Sequence, residues 1–240
     1  MASQTHCIIL AGGLGTRLKS VLPDKPKCLA PVGNSTFLEK QILFLISLGL
    51  ERITLCLGYG NLLVKQELDN LSQLHALHID SVVEDQQLGT GGATWNAMAS
   101  LGIDEALVVN GDTFLDGNLV GMLTPLTLSG EDKEMIRMAL VEVDDSTRFG
   151  GVNLRNGRVL SFVEKGLSQS RLINAGMYRL SKKIFHAKEV GSKFSLESDI
   201  FPDYATSGML SGCLVKGRFI DIGVPEDYFK FCEMHKSHSI

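Results

Sequence analysis

Several features that mark whole classes of protein are missing from this 240-residue sequence. Its five cysteines are odd in number and form no C-x-x-C pair, which argues against a disulfide framework or a zinc site. The formal net charge is −4, so a general nucleic-acid surface is not expected. The chain opens with no signal-peptide pattern, and its most apolar run, residues 42–50, is far too short to span a membrane. These absences predict a cytoplasmic protein with no nucleic-acid partner and no membrane segment.

The composition that remains is that of an ordinary globular protein, with 44% hydrophobic and 21% charged residues. This length is enough for one domain with a substantial core, and no repeat or linker interrupts it, so we expect a single domain over residues 1–240. Strand patterns in the first half cover residues 6–11, 53–57, 79–83 and 106–110. Helical patterns alternate with them at residues 37–48, 62–74 and 91–100. This alternation predicts an α/β fold with a Rossmann-like, mostly parallel but mixed sheet flanked by helices.

Shorter strand patterns follow after residue 130. They cover residues 135–143, 151–154, 159–164, 173–180 and 214–221. Asn156-Gly157 is a strong hairpin signal between two of them. A closing helix is expected to start near Pro225, because proline and acidic residues favour a helix N-terminus.

The first predicted strand ends in a glycine-rich turn, and residues 10–17 read Leu-Ala-Gly-Gly-Leu-Gly-Thr-Arg. Glycines let successive backbone N–H groups approach an anion, and Arg17 adds a permanent positive charge. Leu18 replaces the third glycine of the dinucleotide fingerprint, and the Gly-Lys-Ser/Thr of the Walker loop is absent. The turn predicts a phosphate site, although a plain strand-to-helix turn would use glycine as well.

Two acidic residues far apart in the chain each follow an apolar strand pattern. Asp112 comes after residues 106–110, and Asp221 comes after Phe219-Ile220. A carboxylate at the end of a buried strand is costly without a partner, and Mg²⁺ prefers oxygen ligands. The two acids predict a shared metal site, with helix capping as the alternative for each.

The segment 12–18, followed by Lys25-Pro26-Lys27, resembles the signature of the sugar-1-phosphate nucleotidylyltransferases. These enzymes join a nucleoside triphosphate to a sugar 1-phosphate and release pyrophosphate. The resemblance extends from Cys7 to about Tyr228, with the motifs in the family's order. It implies the nucleotide-diphospho-sugar transferase fold, Mg²⁺ as cofactor, and the two substrates as partners, and it is compatible with a homodimer.

The resemblance also implies roles for individual residues. Catalysis is assigned to Arg17, Lys27 and Asp112. The nucleotide is assigned to Leu10, Gly12, Gly13, Gly15, Thr16, Glu84, Gly89, Thr90 and Gly111. The sugar phosphate is assigned to Gly151, Glu164, Lys165 and Asn174, and the metal ion to Asp112 and Asp221. Without the resemblance, Glu164-Lys165 would be interpreted as an ordinary surface ion pair.

Glu84 bears on the choice of base. A carboxylate only accepts hydrogen bonds, and guanine offers adjacent N1–H and N2–H donors on one edge. Uracil and thymine offer one N–H between two carbonyls, which would repel a carboxylate. Glu84 therefore predicts GTP if it reads the base, and its alternative is a solvated loop residue.

Within the family, residues 14–21 and 88–93 are most similar to the D-glycero-α-D-manno-heptose 1-phosphate guanylyltransferases. This predicts transfer of GMP from GTP to that heptose 1-phosphate for cell-surface polysaccharide synthesis. Another sugar 1-phosphate with GTP, UTP, CTP or dTTP remains open, as does a non-catalytic nucleotide-sugar sensor. A glycosyltransferase is disfavoured, because Thr113 and Phe114 follow Asp112 where those enzymes usually present D-x-D.

Overall fold

The structure, a computed structural model, describes residues 5–13, 18, 21, 25–75, 79–144, 148–166 and 170–236. The chain divides into two compact units. The N-terminal unit combines three segments, Ala2–Gln87, Asn110–Phe114 and Ile220–Ile240. The central unit combines Leu88–Val109 and Leu115–Phe219. The single domain expected over residues 1–240 stays a prediction.

The described residues form strands and helices in an alternating order. The strands are β1 (His6–Leu10), β2 (Pro31–Val32), β3 (Ser35–Thr36), β4 (Arg52–Leu57), β5 (Ile79–Val83), β6 (Glu105–Asn110), β7 (Thr113–Leu115), β8 (Ile136–Glu142), β9 (Gly151–Arg155), β10 (Arg158–Val163), β11 (Leu172–Ser181), β12 (Leu210–Leu214) and β13 (Phe219–Asp221). The α-helices are α1 (Phe37–Ser47), α2 (Asn61–His75), α3 (Gly89–Leu101), α4 (Val120–Leu123), α5 (Leu196–Asp199), α6 (Phe201–Thr206) and α7 (Pro225–Lys236). None of the described helices is long and apolar enough to cross a membrane.

Parallel strands in the order β5-β4-β1 form the sheet of the N-terminal unit. The buried apolar runs in β1 and β4 explain why these segments are strands rather than surface loops. Helix α1 begins at a cap in which the Thr36 Oγ1 accepts a hydrogen bond from the Glu39 N–H at 3.2 Å. The parallel strands and the helices predicted for this half are confirmed.

An apolar cluster fills the N-terminal unit and draws residues from all three of its chain segments. Its buried members are Leu18, Ala30, Val32, Phe37, Phe114, Ile220, Ile222, Tyr228 and Phe231. The Tyr228 hydroxyl donates a hydrogen bond to the Pro31 carbonyl at 2.7 Å, so α7 is fastened to β2 as well as packed beside it. This cluster anchors the chain next to both predicted metal ligands, because Phe114 follows Asp112 closely and Ile220 and Ile222 lie on either side of Asp221.

The central unit contains strands in the order β6-β11-β8-β12-β10-β9. The β12–β8 pair is parallel, and the other pairs with an established register are antiparallel. Asn156 and Gly157 join β9 to β10 with φ of 50° and 73°, the left-handed conformation that a two-residue hairpin turn of this kind requires. The predicted hairpin and the mixed sheet flanked by helices are confirmed.

One strand prediction is wrong. Residues 214–221 do not form one strand, because β12 ends at Leu214 and β13 starts at Phe219. The chain between them turns against Asp116, whose side chain accepts hydrogen bonds from Arg218 N at 2.8 Å and Arg218 Nε at 2.7 Å. A Cβ at Gly217 would overlap the Asp116 carbonyl, so the close approach that breaks the strand requires glycine there.

Candidate active site

The turn between β6 and β7 carries Asp112 and is fixed through its backbone. The Gly111 N–H donates to the Leu10 carbonyl at 3.0 Å, and a Cβ at Gly111 would lie only 2.6 Å from the same oxygen. Only glycine therefore allows this approach of the turn to the end of β1. The structure brings together three predicted site residues here, at the C-terminal end of a parallel strand, where α/β sheets bind ligands.

Gln41 closes the same turn from helix α1. Its side chain is only 2% exposed, and Nε2 donates to the Asn110 carbonyl at 2.9 Å and to the Thr113 carbonyl at 2.7 Å. These two carbonyls are the first and last of the turn that contains Asp112. The Gln41 amide therefore sets the length and orientation of the turn, and with it the position of the carboxylate.

Lys27 lies against Asp112. Its Nζ is 2.8 Å from the Asp112 Oδ2, with the lysine side chain 12% exposed and the aspartate side chain 34% exposed. A short 3₁₀ turn at Lys27–Leu29 carries the lysine, and the adjoining Cys28 and Leu29 are buried and anchor it. The more accessible carboxylate keeps a face toward solvent and ligands, while the lysine supplies a positive charge at its side. The two residues assigned to catalysis that the structure describes are thus in direct contact.

Asp221, the second predicted metal ligand, lies between the buried residues Ile220 and Ile222. The Ile222 N–H donates to the Asp112 carbonyl at 2.9 Å, so the backbones of the two aspartates are neighbours. The Asp221 Oδ1 accepts a hydrogen bond from the Gly223 N–H at 2.6 Å, which orients the carboxylate. Over the described part of the chain, no group of three or more His, Cys, Asp or Glu side chains is arranged to hold a metal ion. Two carboxylates fit Mg²⁺, which usually takes its other ligands from substrate phosphates and water.

Glu84 follows β5 and lies beside Gly12, just after the end of β1. Its N–H donates to the Leu57 carbonyl at 2.8 Å, and its Oε1 is 3.2 Å from the position that a Cβ on Gly12 would take. The carboxylate is half-buried, and its charge contributes, after burial, to raising the pKa of the Cys56 thiol. Glu84 and Gly12, both assigned to the nucleotide, are therefore together, while Gly13 is exposed at the start of the turn.

Three further predicted residues of this turn, Gly15, Thr16 and Arg17, lie outside the described residues. Their assignment to the triphosphate stays a prediction.

In the central unit, the loop with Gly89 and Thr90 opens helix α3. Gly89 has φ of +73°, and a Cβ there would lie 2.6 Å from the Phe194 carbonyl oxygen. That carbonyl accepts hydrogen bonds from the N–H groups of Gly91 at 3.1 Å and Gly92 at 3.2 Å. The first turn of α3 is therefore fastened to the segment before α5, which gives the loop a fixed shape.

A side-chain network extends from this loop to Asn174. The Thr90 Oγ1 donates to Glu197 Oε2 at 2.5 Å, and the Tyr178 hydroxyl donates to Glu197 Oε1 at 3.4 Å. Asn174 Nδ2 donates to the Tyr178 hydroxyl at 2.9 Å, and Asn174 Oδ1 accepts from the Gly176 N–H at 2.9 Å. Asn174 lies in β11, where the pairing with β8 shifts its register before Tyr178. The structure thus connects the predicted nucleotide residue Thr90 with the predicted sugar residue Asn174.

The other residues assigned to the sugar phosphate lie together at one end of the β9–β10 hairpin. Gly151 pairs with Val163, the residue before Glu164 and Lys165. Glu164 and Lys165 are both exposed. Gly151, Glu164 and Lys165 therefore lie at the same end of the hairpin, and their assignment to the sugar phosphate stays a prediction.

Gln41, Tyr178 and Glu197 contact predicted site residues or their turn, and no local motif identifies them in the sequence. Gln41 carries a signal, since it lies on the apolar face of α1 between the buried residues Leu38 and Ile42. Glu197 carries no such sequence signal, because Ser195 before it caps α5 and acidic residues are common in the first turn of any helix.

Comparison with known proteins agrees with this geometry. A family model described as nucleotidyl transferase matches residues 6–237. The chain is 37% identical over 227 residues to the D-glycero-α-D-manno-heptose 1-phosphate guanylyltransferase of Campylobacter jejuni, covering 94% of this chain and 98% of that protein. It is 34% identical over 225 residues to the enzyme of the same name from Aneurinibacillus thermoaerophilus, covering 94% and 96%. The crystal structure of HddC from Yersinia pseudotuberculosis complexed with GMP-PN matches with a TM-score of 0.81 and 36% identity, covering 96% of this chain and 99% of that one. The predicted fold type and the resemblance are confirmed.

Proposed function

Because the chain belongs to the nucleotidyl transferase family, we propose that it transfers GMP from GTP to D-glycero-α-D-manno-heptose 1-phosphate and releases pyrophosphate. GTP is supported by two relatives named as guanylyltransferases and by a structural neighbour that holds GMP-PN. The heptose is supported by the same two relatives, which match nearly their whole length. We place the reaction in the cytoplasm, as the sequence predicts.

The observation that carries the proposal is the cluster of Lys27, Asp112 and Asp221. The Lys27 Nζ forms an ion pair with the Asp112 Oδ2 at 2.8 Å. The Asp112 carbonyl accepts a hydrogen bond at 2.9 Å from the N–H of the residue that follows Asp221. These two contacts bring together three residues from distant parts of the chain. A purely structural ion pair would not need a second acidic residue on the neighbouring strand, next to the Ile222 that bonds to the Asp112 backbone. A cation and two carboxylates are the groups that an enzyme needs to hold phosphates together with a metal ion.

The reaction asks the protein to position charge rather than to form covalent bonds. An oxygen of the sugar phosphate bonds to the α-phosphorus of GTP, and the bond from that phosphorus to pyrophosphate breaks. Both substrates are polyanions, so positioning and electrostatic stabilisation supply most of the catalysis. The ionised attacking phosphate needs no general base. Lys27 offsets negative charge beside Asp112, Lys165 receives the sugar phosphate, and Arg17 is assigned to the α-phosphate and the leaving pyrophosphate.

The family uses a divalent metal ion, and we propose Mg²⁺ held by Asp112 and Asp221. When bound, it would neutralise phosphate charge and polarise the reacting phosphoryl group. The half-exposed Asp112 carboxylate, oriented by its turn, and the Asp221 carboxylate, oriented by the Gly223 N–H, are what this chain contributes to that ion.

The test is pyrophosphate release from a matrix of nucleoside triphosphates against sugar 1-phosphates. We expect GTP with the heptose 1-phosphate to be the best pair, and faster turnover with UTP or CTP would refute the assignment of the base. Asp112→Asn should lower kcat by about two to four orders of magnitude, the scale of one lost transition-state contact. Asp69→Asn, an exposed change on α2, is the matched control and should leave kcat unchanged.

Glu84→Gln tests the base assignment separately. An amide can both donate and accept, so the variant should lose preference for GTP over UTP while keeping its Mg²⁺ requirement. A ratio of kcat/KM values for the two nucleotides equal to that of the unmodified enzyme would remove Glu84 from base recognition.

A further inference from the structure

One carboxylate in the central unit receives hydrogen bonds from three hydroxyl groups. Glu197 Oε2 accepts from Thr90 Oγ1 at 2.5 Å and from Ser195 Oγ at 2.7 Å, and Glu197 Oε1 accepts from the Tyr178 hydroxyl at 3.4 Å. Tyr178 is only 1% exposed, so this network runs through the interior of the unit. A side chain used only to cap the four-residue helix α5 would not need partners on α3 and β11.

The direction of every hydrogen bond in this network is fixed by the carboxylate. Each hydroxyl has one hydrogen, and an ionised carboxylate can only accept. The Thr90 Oγ1 already accepts from the Leu196 N–H at 2.9 Å, and the Ser195 Oγ accepts from the Glu197 N–H at 3.1 Å. All three hydroxyl hydrogens therefore point at Glu197, and their lone pairs point away from it.

The same donor-to-acceptor order continues from Glu197 through the Tyr178 hydroxyl to Asn174. Because the tyrosine hydrogen is committed to Glu197, its oxygen is left to accept from Asn174 Nδ2, at 2.9 Å. The Asn174 Oδ1 accepts from the Gly176 N–H, so both ends of the amide are assigned and it cannot flip without losing two bonds. Nδ2 then has one further hydrogen, which is the donor available to a sugar hydroxyl.

We propose that Glu197 is a positioning residue for both substrates, orienting Thr90 for the nucleotide and Asn174 for the sugar. The inference rests on the proposed function and deepens it. Thr90 depends directly on the carboxylate, whereas Asn174 depends on it through Tyr178. The hydrogen bond to Thr90 and the path through Tyr178 to Asn174 form two branches of one network at Glu197. A substrate that orders one branch also orders the Glu197 carboxylate on which the other branch depends, so the two substrates should bind with positive coupling.

Glu197→Gln tests the proposal with a change of almost no volume. An amide nitrogen cannot accept, so the hydrogen bonds on one side of the group, toward Thr90 or toward Tyr178, are lost or reversed. The neutral amide oxygen also holds the remaining side more weakly than the charged carboxylate does. We expect KM for GTP and KM for the sugar 1-phosphate each to rise about tenfold, the scale of a lost bond to a charged group. The matched control is Asp199→Asn on the same helix, an exposed carboxylate that accepts only from the Ser195 N–H in the described contacts. Both KM values of this control should stay within about twofold of the unmodified enzyme.

Tyr178→Phe separates positioning from a merely structural role. It cuts the branch to Asn174 and leaves the bond from Thr90 to Glu197, so KM for the sugar 1-phosphate should rise while KM for GTP stays unchanged. Equal rises for both substrates would overturn the proposal, as would unchanged KM values in Glu197→Gln. If Glu197→Gln does not fold, the selective rise of the sugar 1-phosphate KM in Tyr178→Phe still tests whether Glu197 positions Asn174. Absence of turnover in the unmodified enzyme would overturn the proposed function, and this inference with it, whereas normal turnover with unaffected variants would overturn this inference alone.

Discussion

Replacing Gln41 should separate the stability of the fold from the position of the Asp112 carboxylate, the proposed metal ligand. Gln41→Met keeps the side-chain length but removes both hydrogen bonds to the Asn110 and Thr113 carbonyls. A buried carbonyl that loses its partner costs about 1–3 kcal/mol. The change also removes Gln41 Oε1, which has no hydrogen-bond partner among the described residues and whose burial is itself unfavourable. We expect a net loss of about 1–3 kcal/mol, less than two full penalties.

Gln41→Glu should behave differently, because the new group can titrate. A carboxylate at this position would face two carbonyl oxygens, so burial and repulsion would raise its pKa in the folded state above the ordinary value of about 4.3. The unfolded state would then lose its proton first as pH rises, and stability relative to the unmodified protein should fall progressively above about pH 4.3. Gln41→Met has no proton to lose, so its loss of unfolding free energy relative to the unmodified protein should not depend on pH.

Urea unfolding at about pH 5 and about pH 8 measures both effects. Gln66→Met and Gln66→Glu, at an exposed position of α2, are the controls and should change the free energy of unfolding by less than about 0.5 kcal/mol. Under conditions where Gln41→Met is fully folded, the Mg²⁺ concentration for half-maximal turnover should rise. An unchanged Mg²⁺ requirement would refute the idea that Gln41 fixes the Asp112 turn, and a pH-independent deficit in Gln41→Glu would refute the electrostatic reasoning.

Three other changes test separate parts of the structure. Gly111→Ala places a Cβ 2.6 Å from a carbonyl oxygen of β1, so it should destabilise the protein by about 1–3 kcal/mol in thermal unfolding and reduce turnover. Burial, reinforced by the charge of Arg52, lowers the pKa of His6, so the free energy of unfolding should fall as pH drops below about 6.5. This fall should be smaller in His6→Asn, and an equal fall in the two proteins would contradict the assignment to His6. Burial raises the pKa of the Cys28 thiol to about 12, so iodoacetamide near neutral pH should modify the half-buried Cys213 and Cys232 before Cys28 and reach Cys28 only on unfolding, as peptide mapping would show.

Local sequence signals were sufficient for the parts of the site that depend on one segment. The glycine-rich turn that begins at Gly12, and the acidic residues at strand ends, follow from rules about turns and strand termini. The hairpin at Asn156-Gly157 was predictable for the same reason, since both residues adopt the left-handed conformation that the turn requires.

Features that depend on several distant segments were not predictable from local pattern. The strand predicted over residues 214–221 fails because Asp116, about a hundred residues earlier, turns the intervening chain. The role proposed for Glu197 depends on its contacts with Thr90 and Tyr178, which a pattern of apolar periodicity does not connect to it. Gln41 lies between these cases, because a polar side chain on a buried helix face indicates a partner without identifying it.

The N-terminal unit is assembled from three separate segments, and this has a consequence during synthesis. A nascent polypeptide that has left the ribosome only as far as Val215 already has the glycine-rich turn, Lys27 and Asp112. It still lacks Ile220, Ile222 and Phe231, which complete the apolar cluster, and Asp221. Asp221 can therefore reach the Asp112 turn only after translation of the last stretch, so the growing chain passes most of its time on the ribosome without both residues of the proposed Mg²⁺ site.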